Sequence, residues 1–181
     1  MSARLTRMPP RHVLLAMAVA VIWGANFLAI HLALAQWPPF LTVAIRFTLL
    51  AIPTVLFVPR PQVPLRWLVG YGLGFGVAQF TFLYLGMSLG APTGLASLVL
   101  QSSAPFTLLL GAALLGEKVS GRQWLGIAIA LVGMSLVGLA RAQQSALLPF
   151  VLVLLGGLGW AFGNLANRLA QAPNALHLTL W

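Results

Sequence analysis

A chain of 181 residues that is 60% hydrophobic and only 6% charged holds more apolar surface than a water-soluble core can absorb, since soluble domains run at roughly a quarter charged. A formal net charge of +9 raises nucleic-acid binding as an option, but all the cations except Arg46 fall at the N-terminus or at the connections between apolar runs, where they act as topology signals instead. The absence of cysteine excludes disulfides, thiolate nucleophiles and cysteine-held metals.

Crossing about 30 Å of hydrocarbon as a helix takes roughly 20 apolar residues. Six runs qualify, at about 13–35, 38–59, 67–90, 92–115, 122–140 and 147–170. They are too long and too continuously apolar for barrel strands, which alternate over about ten residues. The expected fold class is therefore all-α, a polytopic membrane helix bundle. The connections leave no room for a soluble catalytic domain, so any chemistry happens among the helices.

Residues 1–12 form a basic N-terminus. The first span could be mistaken for a signal peptide, with arginines ahead of it and Ala33-Leu34-Ala35 imitating a cleavage site. Its apolar run exceeds the 7–15 residues or so of a signal core, and more spans follow, which favours a retained helix. Within it, Trp23, Asn26 and His31 share one broad face. Asn26 suits a substrate or a neighbouring helix, Trp23 a cavity wall, and His31 an interfacial position rather than proton carriage. In the second span Arg46 lies about 12 Å deep at 1.5 Å per residue. Such a charge costs about 2.5–3.5 kcal/mol even on the lenient insertion scale, so it should face the bundle interior or a wet cavity. It reads either as an anchor for a substrate carboxylate or a gating partner, or as a structural arginine bonded to backbone carbonyls or reaching the outer surface.

In the third span Gly70, Gly72, Gly74 and Gly76 make two overlapping GxxxG spacings, expected to let a partner helix approach closely. Gln79, Thr81 and Tyr84 follow, and Gln101, Ser102 and Ser103 occupy the fourth span. These neutral donors and acceptors fit either the poles of a zwitterion in a mostly apolar pocket or interhelical hydrogen bonding. Pro105 should kink the fourth span and free the carbonyl of Gln101. Glu117, the sole acidic residue, stands beside Lys118 just past that span, as a loop ion-pair or gating residue. Ser120 and Gln123 form a capping box that opens the fifth span.

The sixth span reads LGWAFGNLANRLA, a looser copy of VIWGANFLAIHLA at 21–33. Aligning Trp23 with Trp160 matches five of eleven positions, Leu28/Leu165, Ala29/Ala166, Leu32/Leu169 and Ala33/Ala170 being the others. Asn164 is a candidate alongside Trp160. The copies lie an odd number of spans apart, the arithmetic of an inverted-topology repeat with a site near the midplane. The expected organisation is one five-helix unit over 13–140 and the start of a second over 147–181, with HLTLW opening a seventh span and the second unit incomplete at Trp181. Counting cations by side gives Arg4, Arg7, Arg11, Arg60, Arg66, Lys118, Arg122 and Arg168 against Arg141. The N-terminus is thereby expected in the cytoplasm.

RPQVPLRWLVGYGL (60–73), AQF (78–80), PTGLASLVLQ (92–101) and GEKVSGRQWLGIAIALVGM (116–134), following WGANF, resemble the EamA group of the drug/metabolite transporter superfamily, nearest to bacterial exporters of cysteine and O-acetylserine. The resemblance runs in order through essentially the whole chain. It departs in length and in reading GEK where GER is commoner, a change that keeps the cation. It implies an inner-membrane exporter of amino acids or related metabolites, ten helices in two five-helix units, working by alternating access with no cofactor. Small multidrug exporters, which resemble this superfamily, carry an acid in their first helix and this chain has none there; proton coupling would fall to a second unit or to His31.

The expected cavity is lined by Trp23, Asn26, Arg46, Gln79, Tyr84, Gln101 and Ser102, with Trp160 and Asn164 from the second copy, and its partners are a small-molecule substrate and the lipid bilayer. A non-transporting membrane subunit or an inactive fragment of such a transporter is the alternative. An intramembrane enzyme is disfavoured, because paired carboxylates, HExxH, cysteine and a defensible Ser–His spacing are all lacking.

Overall fold

A computed structural model of the chain describes residues 9–143 and 147–181. Arg4 and Arg7, part of the charge count above, lie outside the described residues. Six helices are long and apolar enough to cross a membrane: α1 (Pro10–Leu34), α2 (Pro39–Phe57), α3 (Leu65–Ser88), α4 (Thr93–Leu115), α5 (Gly121–Gln143) and α6 (Leu147–Ala170). A short α7 (Ala175–Leu180) follows, where the sequence suggests a further span opening. The described residues contain no strand, so the chain is a polytopic helical bundle.

Proline and glycine punctuate it. Pro10 and Pro39 sit at the first helical position of α1 and α2, where a missing N–H is no loss and φ is already suited to the helix. Gly116, at φ 67°, closes α4 in the left-handed region, letting Glu117 N–H donate to the Gly111 carbonyl at 3.2 Å. Ser120 and Gln123 form the expected capping box, with Ser120 N donating to Gln123 Oε1 at 2.8 Å.

The core is built around α6. Half of its membrane window is buried, against 6% for α1 and 11% for α2 and α5, and it packs on α3, α4 and α5. Its contact with α3 is made of glycine. A Cβ at Gly74 would lie 2.6 Å from the Gly163 nitrogen, and one at Gly163 would lie 2.7 Å from the Phe75 Cβ. Of the two GxxxG spacings expected in α3, only Gly70/Gly74 faces α6; a Cβ at Gly72 meets nothing within 4 Å, and Gly76 faces Phe47. One helical register cannot put both pairs on one partner.

Two irregularities interrupt the spans. Gly72–Ala78 is π-helical, a widened turn of the kind found at functional sites. In α4 the α-helix stops at Leu100 and restarts at Ser103. The break coincides with the proline signal, but the Gln101 carbonyl is not freed. Ala104 N–H reaches it from three residues on, at 3.0 Å, a tighter turn that replaces the bond Pro105 cannot make.

Candidate functional site

A cavity of about 330 Å³ opens between α1, α2, α3, α4 and the middle of α6. Two larger hollows, of about 480 and 520 Å³, are lined almost wholly by apolar residues, so the polar chemistry converges in the smaller one. Trp23, Asn26, Arg46, Gln79, Gln101 and Trp160 all line it. These six come from five different helices, brought together by tertiary packing alone.

Arg46 organises the polar wall. Its Nη1 donates to Asn26 Oδ1 at 2.9 Å and to Tyr84 Oη at 3.2 Å. Its guanidinium carbon stands 4.6 Å from the centroid of the Phe80 ring, close enough for a cation–π contact. Tyr84 is 2% exposed and joins the site through Arg46 rather than by lining the cavity. Among the described residues Nη2 and Nε of Arg46 have no hydrogen-bond partner. Three of the five guanidinium donors are therefore unused by the described residues.

Aromatic rings form the remaining wall. Trp23 and Trp160, the aligned residues of the two sequence copies, meet edge to face with centroids 5.6 Å apart. Phe75 touches Trp160 and Phe80, and Phe47 touches Phe80, all edge to face at 5.3–6.1 Å. Gln79 is 3% exposed and its Oε1 lacks a partner among the described residues, an enclosed acceptor beside the cavity. Gln101 is exposed at the break in α4.

The other candidates lie elsewhere. Ser102 is buried, its Oγ without a hydrogen-bond partner among the described residues and directed at the gap left by Gly157 of α6. Asn164 donates from Nδ2 to Thr107 Oγ1 at 3.1 Å, below the cavity on the same α4–α6 seam. His31 is exposed near the C-terminal end of α1, away from the cavity lining. Glu117 pairs with Arg168 of α6, whose Nη1 lies 2.5 Å from Oε1 and 2.7 Å from Oε2, while the adjacent Lys118 is exposed. The described residues hold no group of three or more potential metal ligands.

Sequence reasoning missed Phe47, Phe75 and Phe80 in the lining, and Thr107 and Arg168 on the seam. A signal existed for Phe80, one turn before Tyr84 on the same face. None existed for Arg168, because its partner is 51 residues away.

The chain was compared with known proteins. Residues 10–139 match the model of the EamA-like transporter family. A probable amino-acid metabolite efflux pump of Escherichia coli (strain K12) is 42% identical over 92% of this chain and 58% of its own length. The uncharacterized inner membrane transporter YedA of the same strain is 27% identical over 86% of this chain and 53% of its own. The uncharacterized transporter YoaV of Bacillus subtilis (strain 168) is 23% identical over 91% and 60%. The chain thus spans only three fifths or less of the length of these relatives. No solved structure matches. With that match covering well over half of the chain, and a relative 42% identical over 92% of it, the chain belongs to the EamA-like transporter family.

Proposed function

We propose that the chain forms part of a transporter of the bacterial inner membrane that exports small amino acids or related metabolites, of the cysteine and O-acetylserine kind, by alternating access. The observation that carries this reading is Arg46. It is a cation in the middle of a membrane-length helix, held by Asn26, Tyr84 and Phe80, with three N–H donors left over beside a 330 Å³ cavity. Such a group recognises a carboxylate in two-point fashion, and the amides of Gln79 and Gln101 and the aromatic rings suit an amino group and a short side chain. The similarity to the Escherichia coli relative, a probable amino-acid metabolite efflux pump, supports the same substrate class. The meeting of Trp23 with Trp160 supports a cavity formed where two related units face each other, as inverted repeats place it.

Inside-out vesicles loaded with the protein should take up labelled O-acetylserine or cysteine under an imposed gradient. Arg46→Gln should raise the apparent KM about tenfold to a hundredfold, the equivalent of losing one charge-assisted bond of about 1.5–3 kcal/mol, with unchanged membrane abundance. Unaltered affinity and rate would remove the anchor from Arg46. Because the chain covers 58% of this relative, a non-transporting subunit or inactive fragment is the second reading. Uptake from a version extended to the relatives' length, but not from residues 1–181, would establish that one.

A further inference from the structure

The cavity ends toward the Arg168 end of α6 at a seam between α4 and α6, two helices that run in the same direction. Past Gly157, the seam differs from the contact between α3 and α6. There glycine backbones abut at Gly74 and Gly163, with no room for a methyl group, a close packing that resists relative displacement. Between α4 and α6 the backbones come close only around Gly157, where a Cβ would meet Ser102 Oγ and stand 3.3 Å from the Ser103 nitrogen; beyond it, toward the Arg168 end, the ties are polar side-chain contacts. Asn164 donates to Thr107 Oγ1 at 3.1 Å, and Thr107 in turn donates to the Ser103 carbonyl at 2.7 Å. One turn further along α6, Arg168 grips both oxygens of Glu117. The carboxylate lies over Gly111, where a Cβ would stand 2.7 Å from Oε2. Immediately beyond the cavity residue Gln101, α4 is broken, and its remaining segment, Ser103–Leu115, is joined to the rest through a single tight turn.

From this arrangement we infer that Arg168 and Glu117 form the latch of a cytoplasmic gate. The segment Ser103–Leu115 swings about the Gln101–Ser102 break, and the latch, assisted by Thr107–Asn164, holds it shut against α6. The inference rests on the transport reading for its purpose, although the latch itself is measurable without transport. Its strength suits a contact that opens each cycle. Both side chains are close to half exposed, at 46% and 42%, so water competes for them when the seam parts. Glu117 is also the only acidic residue in the chain. A positively charged surface that keeps one carboxylate, and spends it on joining the loop after α4 to the end of α6, has no second acid to take over the tie.

The chain contains no cysteine, so a single introduced thiol is an unambiguous reporter. Ser103→Cys is a near-isosteric change at a buried seam position. Its labelling by a membrane-impermeant maleimide, applied to the cytoplasmic face of inside-out vesicles, should be slow. Adding Glu117→Gln or Arg168→Gln should speed it about twofold to fivefold, the range expected for loss of an exposed ion pair. Exchanging the two charges, Glu117→Arg with Arg168→Glu, should return it toward the starting rate. Gly111→Ala displaces the carboxylate without removing a charge and should have the same effect as Glu117→Gln; it carries the test if the charge variants fail to accumulate. Equal labelling rates in all of these backgrounds, or no recovery on charge exchange, would overturn the latch. Uptake of labelled O-acetylserine by a version extended to the relatives' length separates the two ideas: faster labelling in the latch variants without any uptake by that extended protein leaves the latch and removes the transport reading.

Discussion

Arg46 brings five N–H donors to the eighth residue of α2, where bilayer hydrocarbon offers no acceptor. The fold answers with Asn26 and Tyr84 sharing one nitrogen, and with the face of Phe80. The need for such an answer was legible in the sequence, because a charge at that depth is costly wherever it faces lipid. Its content was not, since the two partners lie 20 and 38 residues away on helices whose rotation no spacing reveals. If these bonds aim the guanidinium at a carboxylate, each can be weighed separately. Asn26→Ala and Tyr84→Phe should each raise the apparent KM for exported substrate about threefold to twentyfold, from about 0.6–1.7 kcal/mol per interhelical bond, with the larger effect from the shorter Asn26 bond. Concentration-dependent vesicle uptake gives the values. A fall in maximal rate with unchanged KM would assign the pair to helix packing instead.

At the scale of the helices, the spans were readable to within a few residues because hydrophobicity and proline placement both mark them. Their internal irregularities were only half readable. Pro105 announced a break in α4, but the way Gln101 and Ala104 close it depends on local turn geometry that the residue pattern leaves open. Four alternating glycines announced a close helix contact in α3, and the structure sets Gly74 against Gly159 and Gly163 of α6, with Gly70 against Ala166. The matching glycine pair on α6 was in the sequence all along, and its role emerges only once the two helices are seen side by side. Gly74→Ala or Gly163→Ala would press a methyl against backbone at 2.6–2.8 Å. Overpacking of that sort costs typically about 1–3 kcal/mol, so both should lower the unfolding temperature in detergent. Gly72→Ala, with open space around it, should leave it within error. Equal behaviour of the three variants would show that α3 and α6 have room to separate.

For the molecule as a whole, composition and span arithmetic were enough for the class of fold, and the serial motifs were enough for the family. What they could not show is that α6, beyond the 10–139 family match, is the most buried of the spans. Amphipathicity is a poor guide to burial in a membrane, where lipid-facing and core-facing residues are both apolar, and small residues rather than hydrophobic ones mark the centre. Sidedness is a separate matter. The described structure brings the loop after α4 to the end of α6 through Glu117 and Arg168, and the α2–α3 connection to the start of α7 in a cleft lined by Arg60 and His177. Both meetings pair segments that six successive crossings would place on one side of the membrane, the side richer in cations. On the positive-inside rule we propose that this side is the cytoplasmic one. Single cysteines can check it without background, since the chain has none. Gln36→Cys, exposed between α1 and α2, should react with an impermeant maleimide in intact cells. Gln62→Cys, exposed between α2 and α3, should react only in inside-out vesicles. The reverse pattern would invert the orientation, and with it the face on which the proposed latch opens.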